Sequence, residues 1–267
     1  MDLTNWTAYR TTKIDKKEAE EFFKFLTEET ERHIKKHYRW YWRKGYWPIK
    51  AVRRNKQEKN PKFIVNHHTG GNRTRPVMAR FLQSKKASSN VIVERNGNII
   101  ELAGINDMSF HAILKEKLFI RSVKIRRLLN LEKYWINEYG CETIGNGSKW
   151  LFTPKQFKSL IVLQRNIVAL KPTITRLRSH RYFNSILRAN DPGMFYFLPL
   201  VEHAVFNDIS LDDPKYWVDQ YEKSPLYFAK HSEYQMMKYQ VDDRDEWWEK
   251  RIKTKVTNKN LLDDVCL

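Results

Sequence analysis

The run Phe63-Ile64-Val65-Asn66-His67-His68, closed by Thr69-Gly70-Gly71, constrains this chain more than any other segment. Its apolar start reads as a strand, and the glycines mark where that strand stops. A strand that ends in histidine holds an imidazole rigidly at the lip of a cleft, and imidazole is the commonest protein ligand for zinc. Matching pieces follow. Residues 90–94 and 99–102 are two β-rich runs around Asn96-Gly97, a hairpin signature. Residues 138–143 read as a further strand. Residues 74–85 predict a short helix with Val77, Phe81 and Leu82 inward. Thr153-Pro154-Lys155-Gln156 opens the best helix: Thr caps, Pro takes the first helical position and Gln closes a capping box. Phe157, Leu160, Ile161, Gln164, Ile167 and Val168 then recur at helical spacing. The order strand–helix–hairpin–strand–helix implies an α/β domain with a mixed central β-sheet flanked by helices.

Three parts are expected along the chain: a helical, basic and aromatic extension with a linker over 1–61, a compact domain over 62–206 and a helical extension over 207–267. In the first part, residues 13–44 read as helix, with Asp15 as cap and Glu18 completing a capping-box pattern. Residues 38–48 interleave Tyr38, Trp40, Tyr41, Trp42, Tyr46 and Trp47 with Arg39, Arg43 and Lys44. Such a stretch stacks on sugars or bases, or packs its aromatics inward while the cations face water; the second reading is preferred. Residues 53–62 are charged, lack a large apolar residue and contain Asn60-Pro61, which reads as a linker. A basic helix is expected over 115–130 and a loop over 180–190. The last sixty residues, with Trp217, Tyr221, Trp247 and Trp248, read as charged helix.

The bulk charge narrows the partners. The chain carries 49 basic and 31 acidic residues, a net +18. A field of this sign draws polyanions, either nucleic acid or an anionic bacterial envelope. No apolar run approaches eighteen residues, so no membrane span is expected. The start Met1-Asp2-Leu3-Thr4-Asn5-Trp6 shows no basic region followed by an apolar one, which leads to an expectation of cytoplasmic synthesis without a signal peptide. Cys141 and Cys266 offer neither a disulfide framework nor a Cys-x-x-Cys knuckle.

In chain order, the residues able to carry chemistry are His67, His68, His111, Glu142, His180 and Asp191. A catalytic zinc takes three protein ligands and keeps one position open. His67, His180 and Asp191 would supply two nitrogens and a carboxylate oxygen. Among eight histidines, spacing alone does not single out this triple.

A family resemblance does. Residues 62–200 resemble the zinc-dependent N-acetylmuramoyl-L-alanine amidases of type 2, which share their fold with peptidoglycan recognition proteins and phage amidase endolysins. Phe63 to Thr69 resembles the first strand, with its His-(His)-Thr signature. Ser88-Ser89-Asn90-Val91-Ile92-Val93-Glu94-Arg95-Asn96-Gly97 is similar to the hairpin that follows. Ser109-Phe110-His111-Ala112 resembles the Trp-His-Ala element beside the cleft. Tyr139-Gly140-Cys141-Glu142-Thr143-Ile144-Gly145 is similar to the strand that presents a catalytic glutamate. Phe152 to Phe157 matches the helix start after it. His180 and Arg188-Ala189-Asn190-Asp191-Pro192-Gly193 resemble the segment with the last two ligands.

The resemblance implies Zn2+ held by His67, His180 and Asp191, with Glu142 as general base and His111, Asn90 and Thr69 at the substrate. His67 and His68 face opposite ways on a regular strand, and family register selects His67. The family commonly carries a lysine where this chain has Ala189, so Arg188 or Arg181 would polarise the scissile carbonyl instead. Asn90 stands where many relatives have histidine, and His180 and Asp191 lie one residue further apart than usual. Residues 113–134 look longer and more basic than the family needs. Asp191 could instead serve only its Asp-Pro-Gly turn, and His111 could simply fill the cleft wall. The function implied is hydrolysis of the amide between N-acetylmuramic acid and L-alanine in peptidoglycan or muropeptides by a phage or prophage lysin. It would act on the cell wall after release or as part of a virion. A weak or inactive peptidoglycan-binding relative, or a structural component of a phage particle, is the alternative. A basic nucleic-acid-binding protein is the third reading.

Overall fold

Five strands form one sheet: β1 (Phe63–His68), β2 (Val91–Val93), β3 (Ile99–Glu101), β4 (Glu138–Thr143) and β5 (Arg176–Ser179). The computed structural model describes residues 1–48, 61–83, 88–107, 109, 111, 138–146, 152–180, 191–193 and 198–212. The strand order is β3-β2-β4-β1-β5. β1 lies between β4 and β5, parallel to both, and β2 runs parallel along the other edge of β4. β2 and β3 pair antiparallel through a turn where Gly97 takes φ 84°, as the Asn-Gly pattern predicts. The sheet is therefore mixed, as expected from the order of elements.

The interior position of β1 and β4 explains their composition. All six residues of β4 are buried, as are the four central residues of β1. Alternation along each strand sorts side chains to two faces. On one face Ile64, Tyr139, Cys141, Val91, Val93 and Leu177 pack against Leu160, Ile161 and Ile167. Those three belong to a long helix, Pro154–Leu170. On the other face Ile92 and Ile100 meet Met78, Phe81 and Leu82 of the helix Thr74–Gln83. Met78 takes the inward position, and Val77 is only half-buried.

In chain order the helices are α1 (Lys16–His37), α2 (Arg39–Arg43), α3 (Thr74–Gln83), α4 (Pro154–Leu170) and α5 (Leu198–Phe206), with a 3-10 turn at Thr7–Tyr9. Asp15 caps α1 by accepting the Glu18 N–H at 2.7 Å. The box is not completed, because the Glu18 carboxylate accepts the Thr7 N–H at 2.9 Å and ties the helix to the 3-10 turn. The helix expected over 13–44 is broken at Tyr38, whose φ −128° and ψ 35° are not helical. Leu3, Ala8, Tyr9, Phe22, Phe23 and Leu26 share one core with β1, β4 and α4. The preferred inward packing of the aromatic stretch holds for Tyr38, Tyr41, Trp42 and Trp47, which join the core on the α3 side. Trp40 and Tyr46 stay exposed.

Two elements escape the sequence reading. β5 offers one buried apolar residue, Leu177, between arginines, a composition suited to a sheet edge. α5 was the other. The expected helix over 115–130, the loop beyond His180 as far as 190 and the C-terminal chain from 213 lie outside the described residues. Among the described residues no helix is long and apolar enough to cross a membrane.

Candidate metal centre

Parallel strands present their carboxyl ends together, and in open α/β sheets that edge is where ligands bind. β1, β4 and β5 are such a set. His67 near the end of β1 pairs in register with Glu142 of β4, so both side chains leave the same face of the sheet. That face is opposite α4, because Gln164 of α4 donates to Asn66, the residue before His67, at 2.6 Å. His180 follows immediately on β5. Asp191 comes from the chain beyond.

These groups converge. The Nδ1 atoms of His67 and His180 lie 3.0 Å apart. Asp191 Oδ2 lies 3.1 Å from His180 Nδ1 and 3.7 Å from His67 Nδ1. The other carboxylate oxygen, Oδ1, accepts the His68 N–H at 2.9 Å. The strand therefore offers one histidine by its ring and the next by its backbone, as alternation requires. All three side chains are buried. Burial alone would push the Asp191 carboxyl up, but the hydrogen bond with His180 and the nearness of the His67 and His68 rings hold it well below the usual carboxylate range.

The donor set has the dimensions of a zinc site. Bonds of 2.0–2.1 Å at tetrahedral angles place neighbouring ligand atoms about 3.3 Å apart, and the observed sides of 3.0, 3.1 and 3.7 Å straddle that value. Two ring nitrogens 3.0 Å apart cannot both direct lone pairs at each other without a proton or a cation between them. The carboxylate beside them supplies the compensating charge. Two imidazoles, one carboxylate and a buried position are the chemistry of a three-ligand zinc site, and the residues fit.

The remaining expected residues divide. Glu142 is buried, in register with His67. His111, expected at the substrate, places its Nδ1 2.9 Å from Nε2 of His67, on the side away from His180. Burial first, then the neighbouring His67 and His180, push the His111 pKa well below the ordinary value. Asn90, also expected at the substrate, is fully buried. Its Oδ1 accepts from the Ser109 hydroxyl at 2.6 Å and the Gly140 N–H at 3.0 Å, and its Nδ2 donates to the Asp107 carbonyl at 2.9 Å. No atom is left for a ligand: Asn90 braces the wall of the site. Thr69 donates to the Gly71 carbonyl at 2.8 Å and accepts the Gly145 N–H at 3.1 Å, clipping the loop after β1 to the loop after β4. Arg188, Ala189, Arg181 and the basic stretch from 115 lie outside the described residues. Sequence reasoning missed Gly140, although a glycine inside a strand signals close approach of another group.

The family model described as N-acetylmuramoyl-L-alanine amidase matches residues 57–194, just over half of the chain. No curated relative matches the sequence. Among solved structures, the chain is similar to the endolysin N-acetylmuramoyl-L-alanine amidase LysCS from Clostridium intestinale URNW, at 23% identity over 52% of this chain and 80% of that one, with a TM-score of 0.37. It is also similar to the Ph2119 endolysin from the Thermus scotoductus MAT2119 bacteriophage Ph2119 (16% identity, 60% and 94% covered, TM-score 0.41). A third likeness is to Drosophila PGRP-LB (17% identity, 58% and 88% covered, TM-score 0.41).

Proposed function

Because the chain belongs to the type 2 N-acetylmuramoyl-L-alanine amidase family, we propose that it is a zinc-dependent amidase. It cleaves the bond between the lactyl carbonyl of N-acetylmuramic acid and the nitrogen of L-alanine in peptidoglycan or muropeptides. The observation that carries this reading is the closed triangle of His67, His180 and Asp191 at the carboxyl ends of parallel strands, with Glu142 in register beside it.

His67 and His180 would hold the ion through Nδ1, and Asp191 through Oδ2. When bound, zinc supplies Lewis-acid chemistry that activates water near neutral pH and polarises the scissile carbonyl. Glu142 takes the proton from the attacking water and returns it to the departing amine. Strand pairing fixes its distance from the metal ligands, so little reorganisation is needed. Arg188 is the cation assigned to the charge that develops on the carbonyl oxygen. The net +18 supports attraction to an anionic envelope and, with it, action on the cell wall as a phage or prophage lysin.

The test uses the full chain loaded with zinc on murein sacculi. Stem peptides are released, a chelator stops release and added zinc restores it. Glu142→Ala retains zinc and loses about 10²-fold or more in turnover. His180→Ala and Asp191→Ala lose the bound zinc as measured by metal analysis. Unchanged turnover in Glu142→Ala and His180→Ala overturns the mechanism. Ala189, at the position where the family commonly has lysine, favours a second reading: a relative that binds peptidoglycan without cutting it. Sacculus binding with neither product nor stoichiometric metal selects that one.

A further inference from the structure

The geometry points to His111 as a positioning residue for the metal centre, one that sets the tautomer of His67 and is given its place by Gly140 and Asn90. The inference rests on the zinc reading of the site.

Gly140 sits in the middle of β4, where glycine weakens a strand and needs a reason. Its backbone has no positive φ, so conformation is not the reason. Space is. A Cβ at this position would lie 2.5 Å from Cγ and 2.6 Å from Cδ2 of the His111 ring, closer than real contacts allow. The ring therefore rests on bare strand backbone. It hydrogen-bonds the backbone of Glu138 and meets Nε2 of His67 at 2.9 Å through Nδ1. Asn90 holds the two pieces together, because one oxygen accepts from both Ser109, two residues before His111, and the Gly140 N–H.

The proton count follows from these contacts. A backbone carbonyl accepts only, so the His111 N–H points at Glu138 and its Nδ1 is the acceptor. His67 must then carry its proton on Nε2. That leaves Nδ1 of His67 with a lone pair directed toward His180 and Asp191, the tautomer a ligand needs. Without His111, the proton can move to Nδ1 and bond Asp191 or His180, an arrangement that competes with the metal. His111 thus works behind the metal site, seated against Gly140.

The experiment measures zinc affinity by competition with a chromogenic chelator, with apo folding followed by circular dichroism. His111→Ala weakens zinc about 10–100-fold. His111→Gln, whose amide oxygen can still accept from Nε2, recovers most of the loss. Gly140→Ala, which touches no ligand, weakens zinc through the displaced ring, and adds nothing further in the His111→Ala background. Affinity unchanged in His111→Ala, no rescue by glutamine, or an equal cost of Gly140→Ala in both backgrounds overturns the inference. If His111→Ala fails to fold, near-native zinc affinity in His111→Gln with weakened affinity in Gly140→Ala supports the inference, and unchanged affinity in Gly140→Ala overturns it. No zinc bound by the unaltered chain would overturn the zinc reading itself, an outcome distinct from the others.

Discussion

Glu101 shows how a single buried side chain couples this fold to pH. It ends β3 against α1, sharing a hydrogen bond with the Thr27 hydroxyl. Burial pushes its carboxyl up to about 7, the Thr27 bond opposes this and Asp107 adds to it. Thr27 also bonds the Phe23 carbonyl at 2.9 Å. A carboxyl raised in the folded state stabilises fully below its unfolded value of 4.5 and loses that contribution as pH climbs through about 7. The difference corresponds to about 3 kcal/mol. Glu138, pushed up to about 8 by burial, acts in the same direction. Urea denaturation at pH 5 and pH 8 should show the unaltered protein losing stability over this interval, with Glu101→Gln losing about 3 kcal/mol less. Equal pH slopes in the two proteins would contradict the assignment. The sequence shows an acid in a β-rich run here; it does not show that helix α1, seventy-four residues away at Thr27, would seal it from water.

Among the elements, α4 was legible because its start is written within four consecutive residues. Thr153 accepts the Gln156 N–H at 3.1 Å, and Gln156 accepts the Thr153 N–H at 3.0 Å, which is the complete capping box. The same pair also reaches outward. The Thr153 hydroxyl donates to the Arg95 carbonyl at 2.7 Å, and Gln156 donates to the Ile144 carbonyl at 2.8 Å. One cap thus joins α4 to the hairpin turn and to the end of β4, next to Glu142. Thr153→Ala is expected to cost about 1–2 kcal/mol, read as a lowered denaturation midpoint with an unchanged slope. β4 was legible for a similar reason: its run is contiguous and its neighbours bury it on both faces. The capping box at α1 was only half right, because a carboxylate near a helix start takes whichever donor the chain folds against it. Here that donor was Thr7. β5 had no local signal, since four residues with one apolar side chain have no period to read; its partner β1 defines it.

Across the whole molecule, Arg165 joins regions that the sequence reading had assigned to three separate parts. Fully buried on α4, it donates to the carbonyls of Ala8 at 2.9 Å, Ala204 at 2.7 Å and Ile209 at 2.7 Å, and reaches Asn207 at 3.3 Å. The N-terminal turn, α5 and the chain beyond it are gathered on one guanidinium. Arg165→Met leaves several buried carbonyls without a donor and should cost about 3 kcal/mol or more. Thermal denaturation with limited proteolysis at the N-terminal turn checks this; Arg165→Lys recovers only part, since an ammonium lacks the planar fork. By itself the sequence determined the element types wherever the pattern was local and the mixed α/β class, while the residues that meet at the centre were reached only through the family resemblance. Types and class were legible because periodicity, caps and turn residues act between near neighbours. Tertiary structure alone decided the partners. It brought His67 within 3.0 Å of His180 across 113 residues, turned His111 toward His67, spent the Asn90 amide on the protein and made Gly140 necessary. The choice of partner depends on which distant backbones pack together, and that is a property of the assembled sheet and helices, not of any stretch of chain.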